Sequence, residues 1–152
     1  MIPDTRSRVP RNTGEDVNRR IREATEERLA YYTAHRDEIG ARLAELDREW
    51  DIERTLEANA AGIAFAGVML GAFADRRFLA LPAAVTAFLM QHAVQGWCPP
   101  VPVFRRMGVR TAAEIESERH ALKAMRGDFD GAAASPAEGR GGARRLLDAV
   151  SR

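Results

Sequence analysis

A chain of 152 residues with 23 Lys and Arg against 22 Asp and Glu has room for one compact domain, and its net charge of +1 provides no chain-wide basic field for nucleic acid. Its single cysteine, Cys98, excludes an intrachain disulfide framework and any multi-cysteine zinc or iron–sulfur site, and it suits a reducing compartment. The charges are segregated: residues 57–104 carry only Glu57, Asp75, Arg76 and Arg77, while both flanks are densely charged.

Residues 1–12 hold two prolines, no apolar period and no apolar run of a secretory signal, and they read as a disordered N-terminus. Thr13 with Asp16, followed by Val17, Ile21 and Ala24 on one face, predicts an amphipathic cytoplasmic helix running to about Ala34. Asp37 can cap a new helix, so residues 13–57 read as one helix or a helix pair. Ile39, Leu43, Leu46 and Trp50 recur at spacings of four and three. They form a stripe expected to pack on Ile115, Leu122 and Met125, or on the same stripe of a second subunit. Arg42, Glu45, Arg48, Glu49 and Glu53 read as a solvated face.

The middle of the chain differs from both ends. Residues 58–74 and 78–98 contain no charged side chain, and a bilayer core takes about 20 helical residues, with roughly 17 as the lower bound. The expectation is an all-α protein with a two-span transmembrane helical hairpin at 58–98, turning at Asp75-Arg76-Arg77. Basic residues concentrate outside the turn, which puts both termini in the cytoplasm. Arg105, Arg106 and Arg110 are expected at lipid headgroups, and Trp50 and Trp97 at the cytoplasmic interface.

Pro99, Pro100 and Pro102 end the second span, and residues 99–110 read as a Pro/Arg-rich juxtamembrane loop. Thr111 and Glu114 form a capping box for an amphipathic helix over 111–127, closed by Gly127. Residues 128–152 read as a flexible tail, with a short terminal helix near Ala143 to Val150.

Few residues point to chemistry. Gly67-Val68-Met69-Leu70-Gly71 is a GxxxG ridge extended by Gly62 and Ala66; in lipid such a ridge brings helix backbones together, either between two copies or within one hairpin. Gln91, His92 and Gln95 lie in the second span and are expected to hydrogen-bond across helices. His92 has no second ligand at metal spacing, so no metal is expected. Cys98 reads as a buried packing residue or, alternatively, as a reactive thiol activated by Arg105 or Arg106. There is no phosphate-binding loop, no dinucleotide fingerprint and no metalloprotease or serine-hydrolase motif, so no catalytic residue and no cofactor are expected. His35 and His120 read as lone surface histidines.

A resemblance rests on Asn59 to Gly108. The polar entry Glu57 and Asn59, the small-residue span with Gly62, Gly67 and Gly71, the short Arg-bearing turn, and the ending Gly96-Trp97-Cys98-Pro99 before Gly108 together resemble the YgaP-like transmembrane domain family. The resemblance covers about a third of the chain and implies a bacterial inner-membrane hairpin that associates as a homodimer. Members of that family stand alone or are fused behind a rhodanese sulfurtransferase domain, so a sulfur link for this chain is an analogy only. This chain departs from the pattern where Pro100 and Pro102 lead into Arg105, Arg106 and a further helix. It also lacks a second cysteine for a rhodanese loop, so sulfur transfer by this chain alone is not expected.

The sequence therefore predicts a non-enzymatic integral membrane protein acting as a self-associating structural or interaction module, with membrane lipid and a second copy as partners. The alternatives are a membrane-bound sulfur or redox carrier using Cys98, and a soluble oligomeric helical bundle.

Overall fold

The structure is a computed structural model that describes Asp4 and residues 6–130. Among the described residues it is all helical, with no strand. Seven α-helices follow in chain order: α1 (Arg8–Arg11), α2 (Glu15–Ala34), α3 (Ile39–Leu46), α4 (Ile52–Phe73), α5 (Ala80–Gln95), α6 (Val101–Arg106) and α7 (Ala112–Arg126). Short 3₁₀ turns at Arg36–Glu38 and Arg76–Leu79 precede α3 and α5. The expected tail beyond residue 130, including the short terminal helix near Ala143 to Val150, lies outside the described residues.

The chain forms two compact units. The first comprises residues up to 24 together with 49–115, and its core is Val9, Ile52, Leu56, Cys98 and Val101, with Phe104 and Val109 packed against it. Val9 is 2% exposed, so residues 8–11 are not the disordered lead-in that the sequence suggested. One apolar side chain and the anchoring of Arg8, described below, fix this short helix. Thr13 does not cap α2 either: its hydroxyl donates to the Val9 carbonyl at 2.9 Å, and the helix begins two residues later. Val17 and Ile21 are buried, as their spacing predicts.

The start of α4 is set by Asp51, whose carboxylate accepts the Arg54 amide at 2.7 Å, a side-chain N-cap that satisfies one of the free donors of the first turn. The helix thus begins well before the uncharged stretch. α4 and α5 run antiparallel, with Gly71 against Leu79 and Gly67 against Leu81 and Pro82. At the turn, Asp75 accepts the Arg77 amide at 2.8 Å. α5 stops at Gln95 because Gly96 adopts a left-handed conformation, φ +74°.

The segment after Gly96 is not the loop that its prolines suggest. Pro102 falls in the first turn of α6, where no intrahelical N–H is needed, so Val101–Arg106 is helical. α7 opens on the expected capping box. The Thr111 amide donates to Glu114 Oε2 at 2.7 Å and the Glu114 amide to the Thr111 hydroxyl at 3.2 Å.

The second unit comprises residues 25–48 and those from 116 onward. Ile39, Leu43, Leu46 and Leu122 are buried in it. Glu118 is fully buried and takes Arg42 Nε at 2.9 Å and Arg28 Nη2 at 3.1 Å. Two guanidinium groups on one carboxylate compensate the desolvation that a lone buried charge would suffer. Arg42 is therefore not part of a solvated face. The stripe expected through Trp50 ends at Leu46, where α3 stops; Trp50 is 48% exposed and lies under the Arg54 guanidinium at 4.3 Å.

Candidate functional site: the paired helices and their polar end

Two helices are long and apolar enough to cross a membrane: Ile52–Phe73, and the continuous helical segment Arg76–Gln95. Their most apolar windows are only 17% and 6% buried. Phe65, Phe73, Phe78, Phe88 and Met90 all stand exposed on this pair. A helix that is apolar all round and bare differs from the core helix of a soluble protein, which other elements cover.

The ridge residues divide by role. A Cβ on Gly67 would come within 2.6 Å of Pro82 Cδ, and one on Gly71 within 2.6 Å of Leu79 Cδ2. Both glycines are therefore used inside the pair. Gly62 has nothing within 4 Å of that position and is open.

At the end opposite the Asp75 turn, polar groups gather. His92, 3% exposed, places Nε2 at 2.8 Å from Glu53 Oε2. A carboxylate only accepts, so Nε2 is the donor. Arg8 Nη2 meets Glu53 Oε1 at 2.8 Å, and Arg8 Nη1 donates to the Ala93 carbonyl at 2.7 Å. Asn12 Nδ2 donates to the Gln95 carbonyl at 2.9 Å. The last carbonyls of α5, which have no partner within the helix, are thus capped by side chains of the α1 segment. Gly96 permits this approach, because a Cβ there would stand 2.6 Å from the Arg8 backbone. His92 Nδ1 and Arg8 Nε are buried with no partner among the described residues.

The expected cross-helix hydrogen bonding of Gln91, His92 and Gln95 thus falls to His92, while Gln95 takes part through its backbone. Glu53, read from the sequence as solvated, is the hub. Glu49 likewise leaves the expected face: its carboxylate takes Arg110 Nε at 2.7 Å and Nη2 at 2.6 Å. Arg110 is 4% exposed and Arg105 1%, so neither stands at the lipid headgroups as expected. Arg105 grips Glu114 with two bonds of 2.7 and 2.8 Å and Asn18 Oδ1 at 2.9 Å. Buried arginines need such planar, bidentate partners. Burial alone would raise the Glu114 carboxyl, but Arg105 and the Thr111 amide outweigh it and hold it below the usual range. Arg106 remains exposed.

Cys98 is 3% exposed. Burial pushes its thiol up; the Val101 amide opposes this, and the Glu53 charge adds to it. That is the reverse of what a reactive thiolate needs. No group of three or more His, Cys, Asp or Glu able to hold a metal occurs among the described residues. Between α4 and α5 lies a pocket of about 230 Å³, with Leu56, Ala60, Ile63, Val85 and Phe88 in its walls and Cys98, Pro99 and Pro100 beside them.

No family model matches the chain, and no curated protein or solved structure shows significant similarity to it.

Sequence reasoning missed Arg8, Asn12 and Glu53 as a group. The only signal was a carboxylate one turn before a long uncharged stretch, and its partners lie 45 and 39 residues away.

Proposed function

We propose that this chain is a small, non-enzymatic membrane protein whose helices Ile52–Phe73 and Arg76–Gln95 form a two-span hairpin of the YgaP-like kind in a bacterial inner membrane. The observation that carries the reading is the bareness of both helices: windows 17% and 6% buried leave their apolar surface without a cover other than lipid or further copies of the chain. The excess of Lys and Arg outside the Arg76-Arg77 turn favours cytoplasmic termini. Asp51, Glu53, His92 and the α1 segment then lie at the cytoplasmic headgroup level, where charged groups are tolerated.

In this reading the protein is a self-associating structural or interaction module, a homodimer. Ile39, Leu43 and Leu46 are already buried within the chain and do not serve the contact. The open ridge of Gly62 and Ala66 serves it instead, since close backbone approach drives association in lipid. A redox role for Cys98 is disfavoured by its burial and raised thiol.

The test is membrane fractionation with an alkaline carbonate wash. Retention in the pellet, with detergent needed for release, supports the two-span reading. Release into the supernatant as a discrete oligomer overturns it in favour of a soluble helical bundle.

A further inference from the structure

The pocket between α4 and α5 follows from where the glycines sit. Near the Asp75 turn, Gly67 and Gly71 let Leu79, Leu81 and Pro82 pack directly on the α4 backbone. Toward the polar end no glycine is shared, and Leu56, Ile63 and Phe88 leave about 230 Å³ between the helices. Asn59 is the only polar side chain in the lining, and its Nδ2 is directed back to the Thr55 carbonyl at 2.8 Å. A buried water makes about three hydrogen bonds to polar partners, which this lining does not offer. The lining suits an apolar guest.

We propose that this pocket seats one acyl chain of a phospholipid from the leaflet on the side of the termini. The inference rests on the membrane reading above. The pocket opens sideways, since Ile63 is 47% and Phe88 44% exposed, so it is continuous with the face turned to the bilayer. Its closed end lies next to the polar cluster: Leu56 is three residues beyond Glu53, and Cys98 shares the core of Ile52 and Leu56. That is the depth at which the first methylenes of a phospholipid leave the headgroup. Trp50 and Arg54, stacked at 4.3 Å and exposed, mark the same interfacial level. An acyl chain that passes from the bilayer into the pocket gains nothing from leaving water, since both surroundings are apolar. Binding therefore depends on shape, and filling the pocket abolishes it.

Cys98, the only cysteine and part of the lining, is a native reporter. The experiment measures its modification by N-ethylmaleimide in the full-length protein, delipidated in detergent, with and without added palmitoyl-oleoyl phosphatidylethanolamine and phosphatidylglycerol. Occupancy is expected to slow the reaction saturably, by about tenfold when lipid stands roughly tenfold above its Kd. Ala60→Phe, which fills the pocket, is expected to remove the lipid dependence, and Met90→Phe, exposed and outside both the lining and the ridge, to keep it. If Ala60→Phe does not fold, native mass spectrometry of the wild type replaces it, with about one phospholipid retained per chain expected. A rate indifferent to lipid, or a lipid dependence that survives in Ala60→Phe, overturns the proposal, as does the absence of a retained phospholipid. Protection that tracks protein concentration without lipid assigns the pocket to a second copy and also overturns it. The carbonate wash separates the two readings: a chain retained in the membrane whose Cys98 ignores lipid has lost only this inference.

Discussion

His92 and Glu53 are 39 residues apart in sequence, yet His92 Nε2 lies 2.8 Å from Glu53 Oε2 while Arg8 holds the other carboxylate oxygen at 2.8 Å. One side chain on α4 thus ties down both the end of α5 and the short helix α1. Truncating it leaves a buried imidazole N–H and a guanidinium without their acceptor. Glu53→Ala is therefore expected to cost about 2 kcal/mol in stability, within the range for an unsatisfied buried group. It should also free the α1 segment, so amides near Asn12 and Thr13 exchange faster with deuterium. Unchanged exchange there would show that Val9 packing alone holds the segment.

The Arg105–Glu114 pair gives an acid limb to the stability curve. Glu114 is held below its ordinary value in the folded protein, so the folded state binds this proton more weakly than the unfolded chain. Its contribution is complete above the unfolded pKa, about 4.3 for a glutamate. It is lost as pH falls through the lower, folded value. Glu114→Gln should flatten the stability loss below about pH 4.3, measured by denaturant unfolding at stepped pH. Arg105→Lys should not rescue the pair, because an ammonium cannot replace two parallel bonds.

Much of this architecture was legible. The end of α2 at Ala34, the capping box at Thr111 and Glu114, the stop at Gly127 and the two long apolar helices all follow from signals within a few residues of one another. What was not legible depends on distant partners. Arg105 and Arg110 beside an apolar stretch look like headgroup anchors until the fold brings Glu114, Asn18 and Glu49 to them. Pro102 reads as a breaker until its place in a first turn is known. The charges on α3 and α4 looked solvated because i,i+3 and i,i+4 pairs satisfy them on paper, whereas Arg42 and Glu53 have their buried partners elsewhere in the chain.

Cys98 separates a structural thiol from a carrier. A raised thiol pKa means little thiolate at neutral pH. Alkylation in detergent without lipid is expected to be slow at pH 7 and to rise with a midpoint above the free-thiol value of about 8.5. Cys98→Ala should lose packing in the Ile52–Leu56 core and leave membrane retention intact. A midpoint below 8.5 or so would revive the sulfur-carrier reading.

The glycines of the ridge offer a contrast within one helix. Gly67→Ala places a Cβ 2.6 Å from the Pro82 ring, a rigid neighbour on the facing helix. The helices must part, at a cost of about 1–3 kcal/mol for overpacking. Gly62→Ala meets nothing within 4 Å, and alanine is the better helix former by up to about 1 kcal/mol, so this variant should be neutral or stabilising as a monomer. If Gly62 and Ala66 form the contact between copies, the larger Gly62→Leu should weaken the dimer while leaving monomer unfolding unchanged. Thermal unfolding in detergent, paired with cross-linking or analytical ultracentrifugation, reads both effects. Equal destabilisation by Gly62→Ala and Gly67→Ala would mean that the two helices do not meet where the close contacts place them. A dimer indifferent to Gly62→Leu would move the self-association to another face.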